Sequence, residues 1–89
     1  MMVITKLIES VIDTRGNKFD SHEVILALSK NHTQEYNAAR AEYGTMNKLH
    51  SQIGIKIEEI CSSRGFSKSP SRSKDMAGRS SKCLSWRKS

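Results

Sequence analysis

The chain has 89 residues, which limits it to one small domain with a modest hydrophobic core. Aromatic residues make up only 6% of it, so Ile, Leu, Val and Met must supply most of that core. The apolar segment at residues 1–12 is interrupted by Lys6 and Glu9, which excludes a signal-peptide core or a membrane span. We therefore expect a cytoplasmic protein in which Cys61 and Cys83 are reduced thiols.

The net charge of +6 is confined to the C-terminal part of the chain. Residues 1–65 carry eight basic and eight acidic side chains, whereas residues 66–89 carry seven basic side chains and one acidic one. A basic segment beside a neutral one is typical of a surface that meets a polyanion, most often nucleic acid, and less often an acidic protein or anionic lipid. The alternative is a tail that only improves solubility.

Apolar residues recur at helical spacing near the N-terminus, at Val3, Ile4, Leu7, Ile8, Val11 and Ile12. They cover about half the circumference of a helix, which Gly16 would end. A stripe this wide fits either a central core helix or a helix that also contacts a second subunit. We expect a homodimer through this helix, which makes Ile4, Ile8 and Ile12 candidate partner-binding residues.

The next helix has a clear start signal in FDSHEV, where Asp20 is placed to cap the helix and Glu23 to complete a capping box. This pattern predicts a helix over residues 21–30. A third helix begins at Asn31 or Thr33 and ends at Gly44, so that the two form a short helix-turn-helix arrangement.

The fourth helix is predicted to open at Thr45, because apolar residues then step by three or four along the chain at Met46, Leu49, Ile53, Ile57 and Ile60. Ile53, Ile55 and Ile57 also alternate as residues of a strand would. We favour the helix because five apolar positions fit helical spacing and only three fit a strand. The outward face of this helix holds Asn47, Lys48, Ser51, Gln52 and Ile55. Its polar members suit contacts to base edges and phosphates, although polar residues face water on most helices. Ile55 fits either beneath a C-terminal element or in a protein contact.

The C-terminal CLSWRK alternates as a strand does, with Leu84, Trp86 and Lys88 on one face. Its partner strand is predicted at residues 66–74, with Met76, Ala77 and Gly78 in the connection and Pro70 at a sheet edge. The predicted fold is mainly α with a small C-terminal β-hairpin and resembles a winged helix. Residues 1–65 form its four-helix part, and residues 66–89 form a basic hairpin or tail of the same domain.

Catalysis has little support in this sequence, and we predict no enzyme, cofactor, metal or small-molecule substrate. The neighbours Asp20, Ser21 and His22 diverge by about 100° per residue on a helix and cannot form a catalytic relay. The histidines and cysteines lack the short paired spacing of a zinc site.

With FDSHEVI, LHSQIG and CLSWRK in place, the chain from about Phe19 onward resembles small proteins encoded by bacteriophages and prophages of enteric bacteria. The resemblance implies a repressor, an antirepressor or an inhibitor of host machinery, working in the cytoplasm of a bacterial host cell. It carries no catalytic residue over to this chain.

Our leading interpretation is a non-enzymatic transcription regulator that binds DNA. The fourth helix enters the major groove with Asn47, Lys48, Ser51 and Gln52, while phosphates are contacted by Arg72, Lys74, Arg79, Lys82, Arg87 and Lys88. The alternative is a protein-binding inhibitor, such as an antirepressor, that docks on a repressor or host protein through Ile4, Ile8, Ile12 and Ile55. A third hypothesis is that a flexible tail binds RNA or single-stranded DNA.

Overall fold

The computed structural model describes residues 2–74 and 78–88 and shows four α-helices with one small antiparallel sheet. The helices are α1 (Met2–Thr14), α2 (Ser21–Asn31), α3 (Thr33–Tyr43) and α4 (Met46–Ser63), and the strands are β1 (Lys18–Asp20), β2 (Ser67–Lys74) and β3 (Ser80–Arg87). The strand order is β1-β3-β2. The predicted helices and hairpin are confirmed, with Pro70 on an edge strand, whereas the sequence patterns do not predict β1. Met76, Ala77 and the side chain of Val3 lie outside the described residues.

Helix α1 runs through the centre of the core. Ile4, Ile8 and Ile12 are 4%, 0% and 0% exposed, and Val11 is buried beside them. Helices α2, α3 and α4 all pack against α1 and cover this stripe. The prediction that Ile4, Ile8 and Ile12 contact a partner is therefore wrong, because folding already removes them from the surface.

The start of helix α2 and the end of helix α3 have residues suited to those positions. The backbone N–H of Glu23 donates to Asp20 Oδ1 at 2.8 Å, as expected of an N-cap. The Glu23 carboxylate pairs instead with Arg15, at 3.6 Å, and does not close a capping box. Helix α3 ends at Gly44, whose φ of 85° lies in the left-handed region that favours glycine.

Helix α4 confirms the helical interpretation of the mixed pattern around Gly54. Thr45 caps it by accepting from the Lys48 N–H at 3.2 Å, and its apolar face is buried. At the other end the Phe66 N–H donates to Cys61 O at 3.0 Å and the Gly65 N–H to Ser62 O at 3.1 Å, which is the Schellman arrangement. No helix in the described part of the chain combines the length and apolarity needed to cross a membrane.

The sheet is joined to the core by an aromatic pair. Phe19 of β1 lies opposite Trp86 of β3, and they are 2% and 1% exposed. Leu84 is partly buried and packs against the same core, so both apolar residues of the predicted strand point inward. Burying two large aromatic side chains stabilises the domain by several kcal/mol, roughly 1.5–3 for each. The aromatic pair therefore holds β3, and through its pairing with β3 also β2, against the helices.

Candidate nucleic-acid interface

The register of the hairpin places cations on a shared face. Arg72 on β2 lies directly opposite Lys82 on β3, and Lys74 lies opposite Ser80 two residues farther along β2. Opposing residues of an antiparallel pair share a face, and like charges in that arrangement repel each other. Arg72, Lys74 and Lys82 are all exposed, and none forms an ion pair within the described residues. A bound polyanion would relieve this repulsion.

A second pair of like charges lies at the base of the sheet. Lys18 of β1 is directly opposite Arg87 of β3, and both side chains are exposed. Because the neighbouring pair of Phe19 and Trp86 points into the core, Lys18 and Arg87 project from the outer face. The sequence patterns do not indicate Lys18, because its place beside the C-terminal strand depends on the short strand β1.

Two other basic residues of the C-terminal segment, Lys68 and Arg79, do not lie opposite another cation. Lys68 reaches Glu58 of α4 at 3.4 Å, so its charge is partly compensated. Arg79 is exposed and lies immediately before β3, close to the connection between the hairpin strands. Besides Lys68, the exposed cations of the hairpin are Arg72, Lys74, Arg79, Lys82 and Arg87.

Lys88, which the sequence predicts to bind phosphate, uses its side chain for contacts inside the protein. Its Nζ donates to the carbonyl oxygens of Ile12 and Arg15, both at 2.8 Å, and its backbone N–H donates to Asn17 O at 2.8 Å. A cation at the C-terminal end of a helix satisfies carbonyls that have no partner within the helix. Lys88 therefore fastens the end of β3 to the end of α1, and its ammonium group is engaged inside the protein.

A groove separates the hairpin from the helices. Its volume is about 590 Å³. Helix α4 forms one wall, strand β3 forms the other, and helix α2 contributes the remaining surface. The lining residues are Ser21, His22, Ile25, Asn47, His50, Ser51, Gly54, Ile55, Glu58, Ser81, Lys82, Cys83 and Leu84. The groove thus combines apolar, hydrogen-bonding and charged side chains, and Lys82 connects it to the cationic face of the hairpin.

The groove divides the four polar residues predicted to contact DNA. Asn47 and Ser51 line it, one helical turn apart, whereas Lys48 and Gln52 do not. Successive residues turn by about 100° around a helix, so Lys48 and Gln52 point away toward a different flank of α4. Of these four residues, only Asn47 and Ser51 therefore share the groove with Lys82.

Ile55 lies on the groove wall and is 49% exposed, as predicted for a residue pointing away from the core. It is the only large hydrophobic side chain classed as exposed in the described part of the chain. Leu84 lines the same groove from the opposite wall. The two form a small apolar strip in an otherwise polar groove.

His22 connects α2 to both strands of the hairpin. Its Nδ1 lies 2.9 Å from Ser73 Oγ on β2, and its Nε2 lies 3.3 Å from Ser81 Oγ on β3. Ser73 and Ser81 oppose each other in the register, and Ser73 Oγ is also 3.6 Å from Cys83 Sγ. We call this arrangement the His22 bridge. The sequence patterns assign His22 only to the helix start, because Ser73 and Ser81 lie more than fifty residues away.

The remaining candidate groups for chemistry lie mainly in the core. Burial raises the pKa of the Cys61 thiol from 9.0 to about 11, against the opposing effects of Arg64 and Lys88. Burial also raises the pKa of Tyr36, whose hydroxyl lies 2.7 Å from His50 Nε2. Within residues 2–74 and 78–88, no three His, Cys, Asp or Glu side chains cluster in a way that would hold a metal ion.

No family model, curated protein or solved structure matches this chain. The hairpin and the groove are therefore the features from which a function can be inferred.

Proposed function

We propose that this chain is a phage-type regulator that binds duplex DNA as a winged-helix-like unit. The observation that supports it most is the pairing of Arg72 with Lys82, and of Lys18 with Arg87, across an ordered sheet. Like charges placed directly opposite each other destabilise a sheet, and such local conflicts in a fold commonly mark functional positions. A phosphate backbone supplies the compensating charge.

The groove wall of α4 suits a position beside the bases. From Thr45 to Ile57 the helix carries no acidic residue, and Asn47 and Ser51 offer donors and acceptors to base edges. We propose that these two residues, rather than Lys48 and Gln52, contact the bases, because they line the groove together with Lys82 of the hairpin. The helices followed by a hairpin are also the layout of a winged helix.

The experiment is a salt titration of duplex binding. Five hairpin cations, Arg72, Lys74, Arg79, Lys82 and Arg87, predict a slope of about −4.5 for log affinity against log salt concentration. The double variant Arg72→Ala and Lys82→Ala should flatten the slope by about 1.8. Lys30→Ala, which removes an exposed charge from the end of α2, is the matched control and should leave the slope unchanged. A salt-independent affinity would refute the proposal.

A second candidate function is a protein-binding inhibitor, which the exposure of Ile55 favours. In this role the strip of Ile55 and Leu84 docks on a repressor or host protein. Ile55→Glu should then abolish partner capture while reversal of the hairpin charges has little effect. Capture from host lysate that survives nuclease treatment and depends on Ile55 would favour this candidate over DNA binding.

A further inference from the structure

The His22 bridge accepts a proton without losing a hydrogen bond. A neutral imidazole has one donor and one acceptor nitrogen, and a hydroxyl can take either role toward each of them. When both ring nitrogens carry protons, Ser73 and Ser81 accept from both, and the Ser73 hydroxyl can still donate to Cys83 Sγ. The geometry of the bridge is therefore compatible with both the neutral and the protonated ring.

The surroundings of His22 contain charges of both signs. The N-terminal end of α2 is positively polarised and opposes a charged imidazole at this position. The titratable groups near it are Asp20 and Glu23 around the helix start, His50 and Glu58 on α4, and Lys82 and Cys83 on β3. Ser73 lies between Arg72 and Lys74 in β2, so further cations are within about one Debye length.

We propose that DNA binding by the hairpin is coupled to proton uptake at His22. This inference rests on the proposed function and assigns a regulation to the same site. A phosphate seated beside Lys82 adds negative charge to the groove that His22 also lines, and so favours the protonated ring. Coupling is reciprocal, so protonation of His22 strengthens DNA binding as pH falls through the range in which histidine titrates.

The test measures the affinity of the full chain for a labelled duplex of about 20 bp, at constant ionic strength, between about pH 7.5 and pH 5.5. We expect the dissociation constant of the wild type to fall about fivefold across this range, the lower end of ordinary coupling between two sites. His22→Gln, which keeps hydrogen-bonding capacity but cannot gain a charge, should show a flat profile. His32→Gln, at the far end of α2 and about 15 Å along the helix axis, should behave as the wild type does.

A second measurement covers the case in which His22→Gln disturbs the hairpin. In the wild type near neutral pH, the NMR signals of the His22 ring should shift toward the protonated form when duplex is added. The coupling would be refuted, but not DNA binding itself, if the pH dependence persisted in His22→Gln or if the His22 ring signals did not change when duplex was added. Absence of duplex binding at every pH would instead refute the proposed function and the coupling together.

Discussion

Substituting Lys88 by Met should destabilise the fold without weakening DNA binding. The ammonium group donates to Ile12 O and Arg15 O, and Nζ lies 5.9 Å from the centre of the Phe19 ring. Methionine keeps most of the apolar stem and removes only the charge and the donors. The adjacent Arg87 is exposed, and its side chain makes no such bonds to the residues that the structure describes, so Arg87→Met is a matched control.

The expected loss for Lys88→Met is about 2 kcal/mol of unfolding free energy. A hydrogen bond from a charged donor contributes roughly 1.5–3 kcal/mol, and two such bonds are lost. The total cost is lower because the group is only partly buried, so that water can reach the carbonyls, and because Ile12 O keeps its hydrogen bond from the Arg15 N–H. For a domain of this size, a loss of this magnitude lowers the melting temperature by about 10 °C.

Urea and thermal unfolding, followed by circular dichroism and by Trp86 fluorescence, measure the stability of both variants. Lys88→Met should unfold earlier and retain the wild-type salt slope for duplex binding. Arg87→Met should stay within about 0.5 kcal/mol of the wild type and flatten the slope by about 0.9. The opposite pattern, with Lys88→Met equally stable but weaker in binding, would refute the assignment of Lys88 to the helix end.

Two further predictions concern the helices. Asp20→Ala should cost about 1 kcal/mol of unfolding free energy, because it removes the acceptor for the Glu23 N–H. Asp20→Asn keeps an acceptor and should cost little. Equal losses for the two variants in urea denaturation would contradict the capping role of Asp20. The raised pKa of Cys61 means that the folded state favours the neutral thiol more than the unfolded state does. The contribution of this thiol to stability is therefore complete below pH 9 and is lost as the pH rises toward the folded-state pKa of about 11. Unfolding midpoints measured across this range should fall more steeply for the wild type than for Cys61→Ala, and parallel curves would contradict this.

The sequence predicts those helices and strands whose apolar spacing and end signals lie within the segment itself. Helix α4 is predictable because apolar residues recur at five positions over about four turns, and Thr45 and Gly65 mark its ends. Strand alternation likewise predicts that Leu84 and Trp86 share one face of the C-terminal strand. These features depend only on neighbouring residues.

The features that the sequence does not predict arise from contacts between distant segments. Strand β1 has three residues, too few for alternation to be visible, and it exists because it pairs with β3. The burial of Ile4, Ile8 and Ile12 depends on three helices closing over α1. The His22 bridge and the engagement of Lys88 likewise need residues brought together from opposite ends of the chain.

The central claim is that an ordered, cationic hairpin beside the groove wall of α4 is the DNA-binding surface. A titration of isotope-labelled protein with a short duplex, followed by NMR, tests it residue by residue. We predict that the largest amide shifts fall on β2, β3 and the stretch around Asn47 and Ser51, with the amides of α1 and α3 unchanged. Shifts confined to α1 and α3, or none in the hairpin, would contradict the account.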